Sequence, residues 1–420
     1  MKNYLLLIAI FLCASCVNSS QDTAKNWQWR GENRNGMYNE TGLLKEWPEE
    51  GPQLLWYFEE LGEGHTSVAI TGEKLYATGM HGDDLVLYVF DLTGKLLTEK
   101  IIGKEWDTNW NGTRSSVCIN DGKLYIFNAL GTLFCLDEAT LNEVWTKDLL
   151  TEFEGENLMF GMTESPLIAG NTIFMTPGGE QHSMVALNKE TGELIWSSSG
   201  TGMVSSYCSP LYIADQSVPM VVTWLSPLAI EGASRDTWYD NELVAFNAET
   251  GEQLWSQTLP SQNRINPNTP IYIDGMILAV TGYKGGAWLY RLKDGGKTAE
   301  LVWKNDEMDN QMGGAIKVGD YLYASGHTNN YWFCVDWKTG ETKYKVEEIG
   351  RSNIIFAEGM LYCYSERGEM FLVKPNPEEL EIVSSFKVTL GTAQHWAHPV
   401  IYQGMLYLRH GNALMAYKIK

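Results

Sequence analysis

The chain has 420 residues, of which 44% are hydrophobic and 12% aromatic, so it can bury a large core. Its formal net charge of −21 repels phosphate backbones and anionic lipid headgroups. Composition and charge therefore exclude a disordered chain and argue against a nucleic-acid partner.

The N-terminal segment has the pattern of a secretory signal. Residues 1–15 combine a basic residue, an apolar run and small residues at the end. The ending before Cys16 is similar to a bacterial lipobox, although Cys13 stands where Leu is usual. We predict a signal peptide over 1–15, lipid attachment at Cys16 and a flexible tether over 16–27, with a plain secreted protein as the alternative. No later run reaches the roughly 20 apolar residues that a membrane-spanning helix requires.

The rest of the chain, residues 28–420, repeats one hairpin pattern. Its clearest copies are "MVALNKETGELIW" (Met184–Trp196) and "LVAFNAETGEQLW" (Leu243–Trp255). Each has an apolar strand, an Asn, a Thr-Gly turn and a second strand that ends on Trp. Glycine tolerates positive φ at the turn, and the Asn side chain can hydrogen-bond the turn backbone. We interpret the repeat as structural, with the Trp packed between neighbouring sheets.

A second hairpin precedes each of these, and two hairpins make a four-stranded unit of the size of a propeller blade. Counting them predicts an all-β, eight-bladed propeller with four-stranded antiparallel blades in a single domain. The predicted outer strands close on Trp56, Leu97, Trp145, Trp196, Trp255, Trp303, Tyr344 and Phe386. The last hairpin is followed by one strand only, so we expect the N- and C-terminal strands to complete one blade together and to remove the open edge.

The blade ending "AxNxETGExxW" resembles the repeat of the pyrroloquinoline quinone (PQQ)-like propellers, and the similarity covers nearly the whole chain after the signal. Three further stretches are similar to one bacterial branch: "WQWRGENRNGMYNETGLLKEWPEEGPQLLW", "NGTRSSVCINDGKLY" and "MTESPLIAGNTIFMTPGG". Two known relatives imply different functions. Quinoprotein alcohol dehydrogenases hold PQQ and calcium in the central funnel, whereas the propeller lipoprotein of the outer-membrane barrel-assembly machinery is a scaffold without a cofactor. The fold alone does not decide between them.

The residues just before each inner strand form a ring at one mouth of the channel, and we predict the ligand site there. The ring comprises His65, Arg114, Glu164, Tyr207, Asn268, Gln311, Arg351, His395 and His398. Arg114 and Arg351 would donate to a small polar or anionic ligand, and Glu164 would accept or act as a base. His395 and His398 flank Trp396, which could stack on a sugar or a quinone. The alternative is that these polar groups only satisfy one another.

The quinoprotein alternative has requirements that the sequence meets poorly. The resemblance to the dehydrogenases implies a disulfide between adjacent cysteines over the cofactor, and this chain has no Cys-Cys pair. Glu164 is the single acidic ring position, too few for a calcium ligand and a base. We therefore expect no cofactor and no metal, with PQQ and calcium as the alternative. The five cysteines after Cys16 are expected to be small buried hydrophobes. They are Cys118, Cys135, Cys208, Cys334 and Cys363.

Together these features predict a monomeric binding or scaffold module of the bacterial envelope, anchored by lipid, and two alternatives stay open. These are a PQQ-dependent alcohol or sugar dehydrogenase and a carbohydrate-active propeller enzyme. Expected partners are envelope proteins or a small polar or carbohydrate ligand, and the expected location is the outer membrane. Two Trp-rich insertions, residues 103–114 and 224–242, are candidate interaction loops, unless their Trp side chains fold back on the blades.

Overall fold

The computed structural model describes residues 27–420. These residues form eight antiparallel sheets around a central channel, which confirms the predicted eight-bladed propeller. The predicted signal peptide and Cys16 lie outside the described residues, as does the tether except for Trp27.

Each blade runs from an inner strand at the channel to an outer strand at the circumference. Blade 1 contains Ala69–Thr71, Lys74–His81, Asp84–Asp91 and Leu96–Lys104; blade 2 contains Cys118–Asn120, Lys123–Phe127, Thr132–Asp137 and Glu143–Asp148. Blade 3 contains Leu167–Ala169, Thr172–Met175, Val185–Asn188 and Leu194–Ser197; blade 4 contains Leu211–Ile213, Met220–Ser226, Tyr239–Asn247 and Gln253–Ser261, with Val204–Ser205 added. Blade 5 contains Ile271–Ile273, Met276–Thr281, Gly286–Lys293 and Thr298–Asn305; blade 6 contains Ile316–Val318, Tyr321–Ser325, Trp332–Asp336 and Thr342–Val346. Blade 7 contains Ser352–Ala357, Met360–Ser365, Glu369–Lys374 and Glu381–Lys387; blade 8 contains Val400–Tyr402, Met405–His410, Ala413–Lys418 and Gln53–Phe58. A short α-helix, Leu149–Glu152, and a 3-10 turn, Asp294–Gly296, lie between strands.

The two ends of the propeller close the ring in blade 8. Its outer strand, Gln53–Phe58, pairs antiparallel with Ala413–Lys418, so that Gln53 lies opposite Lys418 and Phe58 opposite Leu414. The prediction that N- and C-terminal strands share one blade is confirmed. Because blade 8 is completed in this way, the ring has no gap between blade 8 and blade 1.

The repeated Trp and Thr-Gly turn join one blade to the next. The Trp196 indole at the end of blade 3 donates from Nε1 to the carbonyl of Ala248, at 2.9 Å. Its ring lies against Gly251 in the next turn, where a Cβ atom would come within 2.5 Å of the indole. The same pairing occurs at Trp56 with Gly94, Trp145 with Gly192, and Trp303 with Gly340. The motif is therefore an inter-blade contact rather than a catalytic signature.

The two faces of the disc are distinct. Every inner strand begins on one face, here called the mouth face, and the first turn of each blade lies on the opposite face, here called the turn face, together with the Thr-Gly turns. Connections between the second and third strands also return to the mouth face. Loops on that face can therefore meet at the channel.

The segment 27–38, here called the plug, enters the channel from the turn face and leaves by the same face. Trp27 pairs with Ile119 near the first turn of blade 2. Met37–Tyr38 adds a parallel strand to the inner strand of blade 7, with Tyr38 opposite Ala357. Between these ends the chain reverses at residues with positive φ, among them Arg30 at 63° and Gly36 at 76°. The plug closes the channel part of the way along its length.

Two buried arginines hold the plug across the channel. Arg34 donates to the carbonyls of Ser165 and Pro166 at 2.8 and 2.9 Å, on blade 3. Arg30 donates to the carbonyl of Gly313 at 3.1 Å and to Nδ1 of His398 at 2.8 Å, on the other side of the ring. The plug therefore links blades that are far apart around the ring.

All five cysteines from Cys118 to Cys363 are buried and free, as predicted. They lie on strands and pack in the hydrophobic clusters between blades or face the core. Within residues 27–420, no helix is both long enough and apolar enough to cross a membrane.

Candidate functional site

A cavity of about 470 Å³ opens at the mouth face of the channel. Trp29, near the tip of the plug, lines it, so the N-terminal segment contributes to its floor. The volume lies within the range of about 300–1,000 Å³ that is typical of small-ligand sites. The cavity is a dead end because the plug fills the channel below it.

The structure brings most of the predicted ring residues together around this cavity. The lining includes seven of them: His65, Arg114, Tyr207, Asn268, Gln311, Arg351 and His398. The Asn268 amide has a structural role, because Nδ2 donates to Asn310 at 2.8 Å and Oδ1 accepts from the Gly314 N–H at 3.1 Å. The other six leave polar or aromatic surface around the cavity.

Two of the predicted ring residues are not part of the lining. Glu164 is buried in the blade wall, where Oε1 accepts from the Thr176 N–H at 2.8 Å. The His395 ring stacks on His410 with centroids 3.6 Å apart, and its Nδ1 lies 2.5 Å from the Tyr364 hydroxyl. Neither side chain is placed to contact a molecule in the cavity.

The two lining arginines are held differently. Arg114 donates from Nη1 to the carbonyl of Gly112 at 2.6 Å and from Nη2 to that of Asn109 at 2.9 Å. These neutral acceptors fix the guanidinium without cancelling its charge. Arg351 donates from Nε to the carbonyl of His327 and lies 3.7 Å from the Glu366 carboxylate.

Burial keeps the lining histidines neutral near pH 7. Desolvation lowers the pKa of His65 to about 3, with Arg409 and Arg114 adding to the effect. Burial also lowers the pKa of His327 to about 4, and Arg351 contributes. The pKa of His398 is lowered by burial and by Arg30, whose guanidinium makes Nδ1 an acceptor and leaves the proton on Nε2. These rings therefore offer uncharged donors and acceptors.

Aromatic side chains cover much of the wall. Trp396 lies between His65, at 5.0 Å, and Trp110, at 5.2 Å, measured between ring centroids. The Trp396 and Trp110 planes diverge by 48°. Trp29 contacts the His398 ring edge-on at 5.1 Å. The cavity thus combines apolar faces with a few fixed polar groups, as binding sites commonly do.

Some of the lining residues that the sequence did not predict come from other connections or from the plug. Tyr283, His327 and Glu366 belong to connections between second and third strands, which return to the mouth face as the inner-strand starts do. Trp29 comes from the plug. In the sequence analysis this segment contributed only to the family resemblance, and none of its residues was predicted to line the site. The signal for the first group was its position directly after the second strand of a blade. The composition of the plug marks a special segment but not its place in the channel.

The two candidate interaction loops lie on the mouth face, and each exposes part of its apolar surface. Trp110 is 50% exposed and Trp238 is 49% exposed, together with Ile230 at 54%. Trp224, in contrast, is completely buried in its strand. One Trp of these loops therefore packs into a blade, whereas other apolar side chains are exposed.

The donor set of the cavity does not fit the calcium that accompanies PQQ. Calcium takes six to eight oxygen ligands, commonly from several carboxylates. Glu366 is the one carboxylate in the lining, and it faces Arg351. Among residues 27–420, no group of three or more His, Cys, Asp or Glu side chains is placed to hold a metal ion.

Comparison with sequences of known proteins links the chain to two groups of propellers. The family model described as "Outer membrane protein assembly factor BamB" matches residues 82–345. The BamB of Shewanella oneidensis is 26% identical over 247 residues, which are 52% of this chain and 53% of that protein. Quinoprotein ethanol dehydrogenase of Pseudomonas putida is 28% identical over 153 residues, 36% of this chain and 23% of the enzyme. The matches thus span about a quarter of the dehydrogenase and about half of this curated BamB.

Solved structures of both groups share the fold. BamB from Moraxella catarrhalis superposes with a TM-score of 0.63 at 13% identity, covering 87% of this chain and 99% of that one. The quinohemoprotein alcohol dehydrogenase from Comamonas testosteroni gives 0.66 at 13% identity, covering 95% and 81%. At these identities the structures establish the propeller and do not distinguish scaffold from enzyme.

Proposed function

Because the chain belongs to the family described as outer membrane protein assembly factor BamB, we propose that it is a non-catalytic binding module of the bacterial envelope. Its binding surface is the mouth face, made of the cavity and the exposed loops around it. The observation that carries this proposal is that a closed-floor cavity and the exposed apolar loop residues occur on one face.

The loops supply the contact surface that a protein partner requires. Trp110, Met159, Ile230 and Trp238 are each about half exposed or more, and all lie on connections of the mouth face. Large aromatic and apolar side chains of this kind commonly anchor protein interfaces. Scaffolding is thus supported by both the family and the surface.

Binding without turnover is supported by the chemistry of the lining. A dehydrogenase needs a base to take the alcohol proton and a Lewis acid to activate the quinone. Glu164, the ring residue that was predicted to act as a base, is buried outside the lining. The Glu366 carboxylate lies 3.7 Å from the Arg351 guanidinium. Dehydrogenase or carbohydrate-cleaving activity would need a carboxylate from elsewhere.

The binding surface can be mapped by photo-crosslinking in intact cells. A photoreactive amino acid at Trp238 or Ile230 should yield adducts with an envelope protein. The same amino acid at Glu358 or Asp274, in first turns of blades on the turn face, is the matched control. Adducts from the turn-face positions alone would contradict the proposal.

The enzyme alternative is decided by titration with PQQ and calcium chloride. We expect no saturable quenching of tryptophan fluorescence, although Trp29, Trp110 and Trp396 line the cavity and would report an occupant. Stoichiometric binding together with dye-linked oxidation of an alcohol would replace the binding module with a quinoprotein dehydrogenase.

Membrane attachment through Cys16 is part of the proposal and has its own test. The protein with Cys16 should partition into the detergent phase of a Triton X-114 extract and incorporate labelled fatty acid. Cys16→Ser should move to the aqueous phase or retain its signal peptide. If Cys16→Ser partitions like the parent protein, lipid attachment at Cys16 is refuted and a plain secreted protein is favoured. The prediction depends on this single modification site.

A further inference from the structure

We propose that the mouth cavity binds a hexuronic acid, a sugar ring that carries one carboxylate, either free or at the end of a saccharide chain. The inference rests on the proposed function of the mouth face and adds the chemical class of the ligand. It follows from the charge, the aromatic geometry and the unpaired polar atoms of the lining.

The charge of the lining favours a single negative charge on the ligand. The formally charged lining groups are Arg114, Arg351 and Glu366, which leave one positive charge in a chain whose net charge is −21. Glu366 faces Arg351, whereas the Arg114 guanidinium donates to backbone carbonyls. The nearby Glu105 carboxyl interacts electrostatically with Arg114 but lies outside the lining, and burial raises its pKa to about 7, so it offsets the charge of Arg114 only in part. A fixed guanidinium beside a cavity is well suited to a carboxylate, which it can bind through two parallel hydrogen bonds.

The aromatic geometry favours a puckered ring over a flat one. A planar polycycle gains most when two aromatic faces are parallel, because it can then stack on both. Trp110 and Trp396 instead form a corner of 48°, and His65 contacts Trp396 at an interplanar angle of 49°. A sugar chair presents C–H groups in more than one direction, so it can contact both walls of such a corner.

Polar atoms suited to hydroxyl groups surround this corner. Nδ1 of His65 is buried and has no hydrogen-bond partner within the described chain. Oγ of Ser352 is likewise unpaired, and Ser352 lines a separate space of about 10 Å³, about the size of one water molecule, next to Arg351, His327 and Trp396. Buried polar atoms normally have a partner, and neither of these two atoms is open to the cavity, so each indicates a bound water molecule beside it. Such water molecules can bridge to the hydroxyl groups of a sugar in the cavity.

The test is calorimetric titration of the lipoprotein in detergent with D-galacturonate and D-glucuronate. D-Galactose and D-glucose are the matched neutral probes, and benzoate is the flat carboxylate. We expect at least one uronate to bind with a Kd in the millimolar range or below and at least tenfold more tightly than its neutral counterpart. Binding should weaken as salt is raised, because the ligand carboxylate meets a partly exposed cation.

Two variants separate the contributions of charge and stacking. Arg114→Gln should reduce uronate affinity to that of the neutral sugar, and Trp110→Ala should weaken uronate and neutral sugar alike. Trp110 is half exposed, so this second variant should fold even if Arg114→Gln does not. Lys338→Gln, on an exposed turn of blade 6, is the control and should leave the titration unchanged.

Three results would overturn the inference: equal affinity for uronate and neutral sugar, tighter binding of benzoate than of either uronate, or no heat from any uronate. Tight binding of benzoate that requires Arg114 would refute the sugar while leaving the cavity as a binding site. If no probe binds and the mouth-face positions give no photo-crosslinks, the proposed function itself fails.

Discussion

Glu164 is a buried carboxyl whose two oxygens have different environments. Oε1 accepts from the Thr176 backbone, whereas Oε2 is buried without a hydrogen-bond partner in the described structure. Burial raises the pKa of this carboxyl to about 7, although Thr176 and Arg34 oppose the shift. The protonated form is therefore the one that the folded wall prefers below neutral pH.

The free energy of unfolding should therefore depend on pH, because the folded chain binds the Glu164 proton more tightly than the unfolded chain. The unfolded chain loses the proton near its ordinary pKa of about 4.3, and the folded chain keeps it until about 7, so Glu164 costs stability as the pH rises through this interval. Glu164→Gln should remove this cost and gain up to about 3 kcal/mol relative to the parent between pH 5 and pH 8.

Urea unfolding at both pH values measures this effect. Glu249→Gln, at an exposed turn position, is the control. Parallel pH profiles for the parent and Glu164→Gln would show that the carboxyl is hydrated or paired in solution.

At the scale of the blade, the Thr-Gly turn serves its own hairpin and its neighbour. The φ of Gly251 is +76°, which favours glycine, and its missing side chain leaves room for the Trp196 ring. The indole N–H then bonds to Ala248 of the same neighbouring blade. Conformation and packing thus require the same residue at the same position.

A pair of alanine substitutions separates these two requirements. Gly275 also has φ of +76°, but a Cβ atom there meets no neighbour within 4 Å. Gly275→Ala should cost about 1–2 kcal/mol from backbone strain alone. Gly251→Ala should cost about 1–3 kcal/mol more, because the added methyl displaces Trp196.

Thermal or urea denaturation of the two variants gives the difference directly. Equal losses would mean that the indole moves aside freely, and the contact would then have little role in joining the blades.

The strands were predictable because their signals are local. Alternating apolar residues, a turn glycine and a closing aromatic recur within each unit, and they placed every blade. The seven ring residues that line the cavity could be predicted because each lies just before the start of an inner strand. Glu164 and His395 were predicted in the same way but do not line the cavity. The direction of a side chain at the end of a loop depends on its packing, as the stacking of His395 on His410 illustrates.

At the scale of the molecule, ring closure depends on one strand from the N-terminal part of the chain. Gln53–Phe58 pairs with Ala413–Lys418 over five opposed positions with one bulge. Trp56 in this strand also donates to the carbonyl of Leu92 in blade 1 at 3.1 Å. This strand therefore joins blade 8 to blade 1 and completes the circle.

Deleting residues 53–59 should unfold the propeller, because blade 8 would lose its outer strand and its contact with blade 1 together. A matched deletion of seven residues, 230–236, removes only exposed positions of the blade 4 connection and should leave the fold intact. Circular dichroism and calorimetry distinguish the outcomes. A cooperative melt in the first variant at the parent temperature would refute the closed-ring architecture.

The plug could not have been predicted, because its partners are distant in sequence. Arg34 bonds to residues 131 and 132 positions away, and Arg30 reaches His398 across 368 positions. No periodicity over a short window encodes such contacts. Its composition, two Trp and two Arg among glycines, signals a special segment without saying where it lies.

The plug also sets an order of events for the nascent chain. The residues that form the cavity floor are synthesised early, yet the carbonyls and the imidazole that hold Arg30 belong to blades 6, 7 and 8. The segment must therefore wait until the last blades have formed before it can seat. A chain that has stalled at six blades would have most of the wall and no floor, so ligand binding would report that synthesis and folding had run to the end.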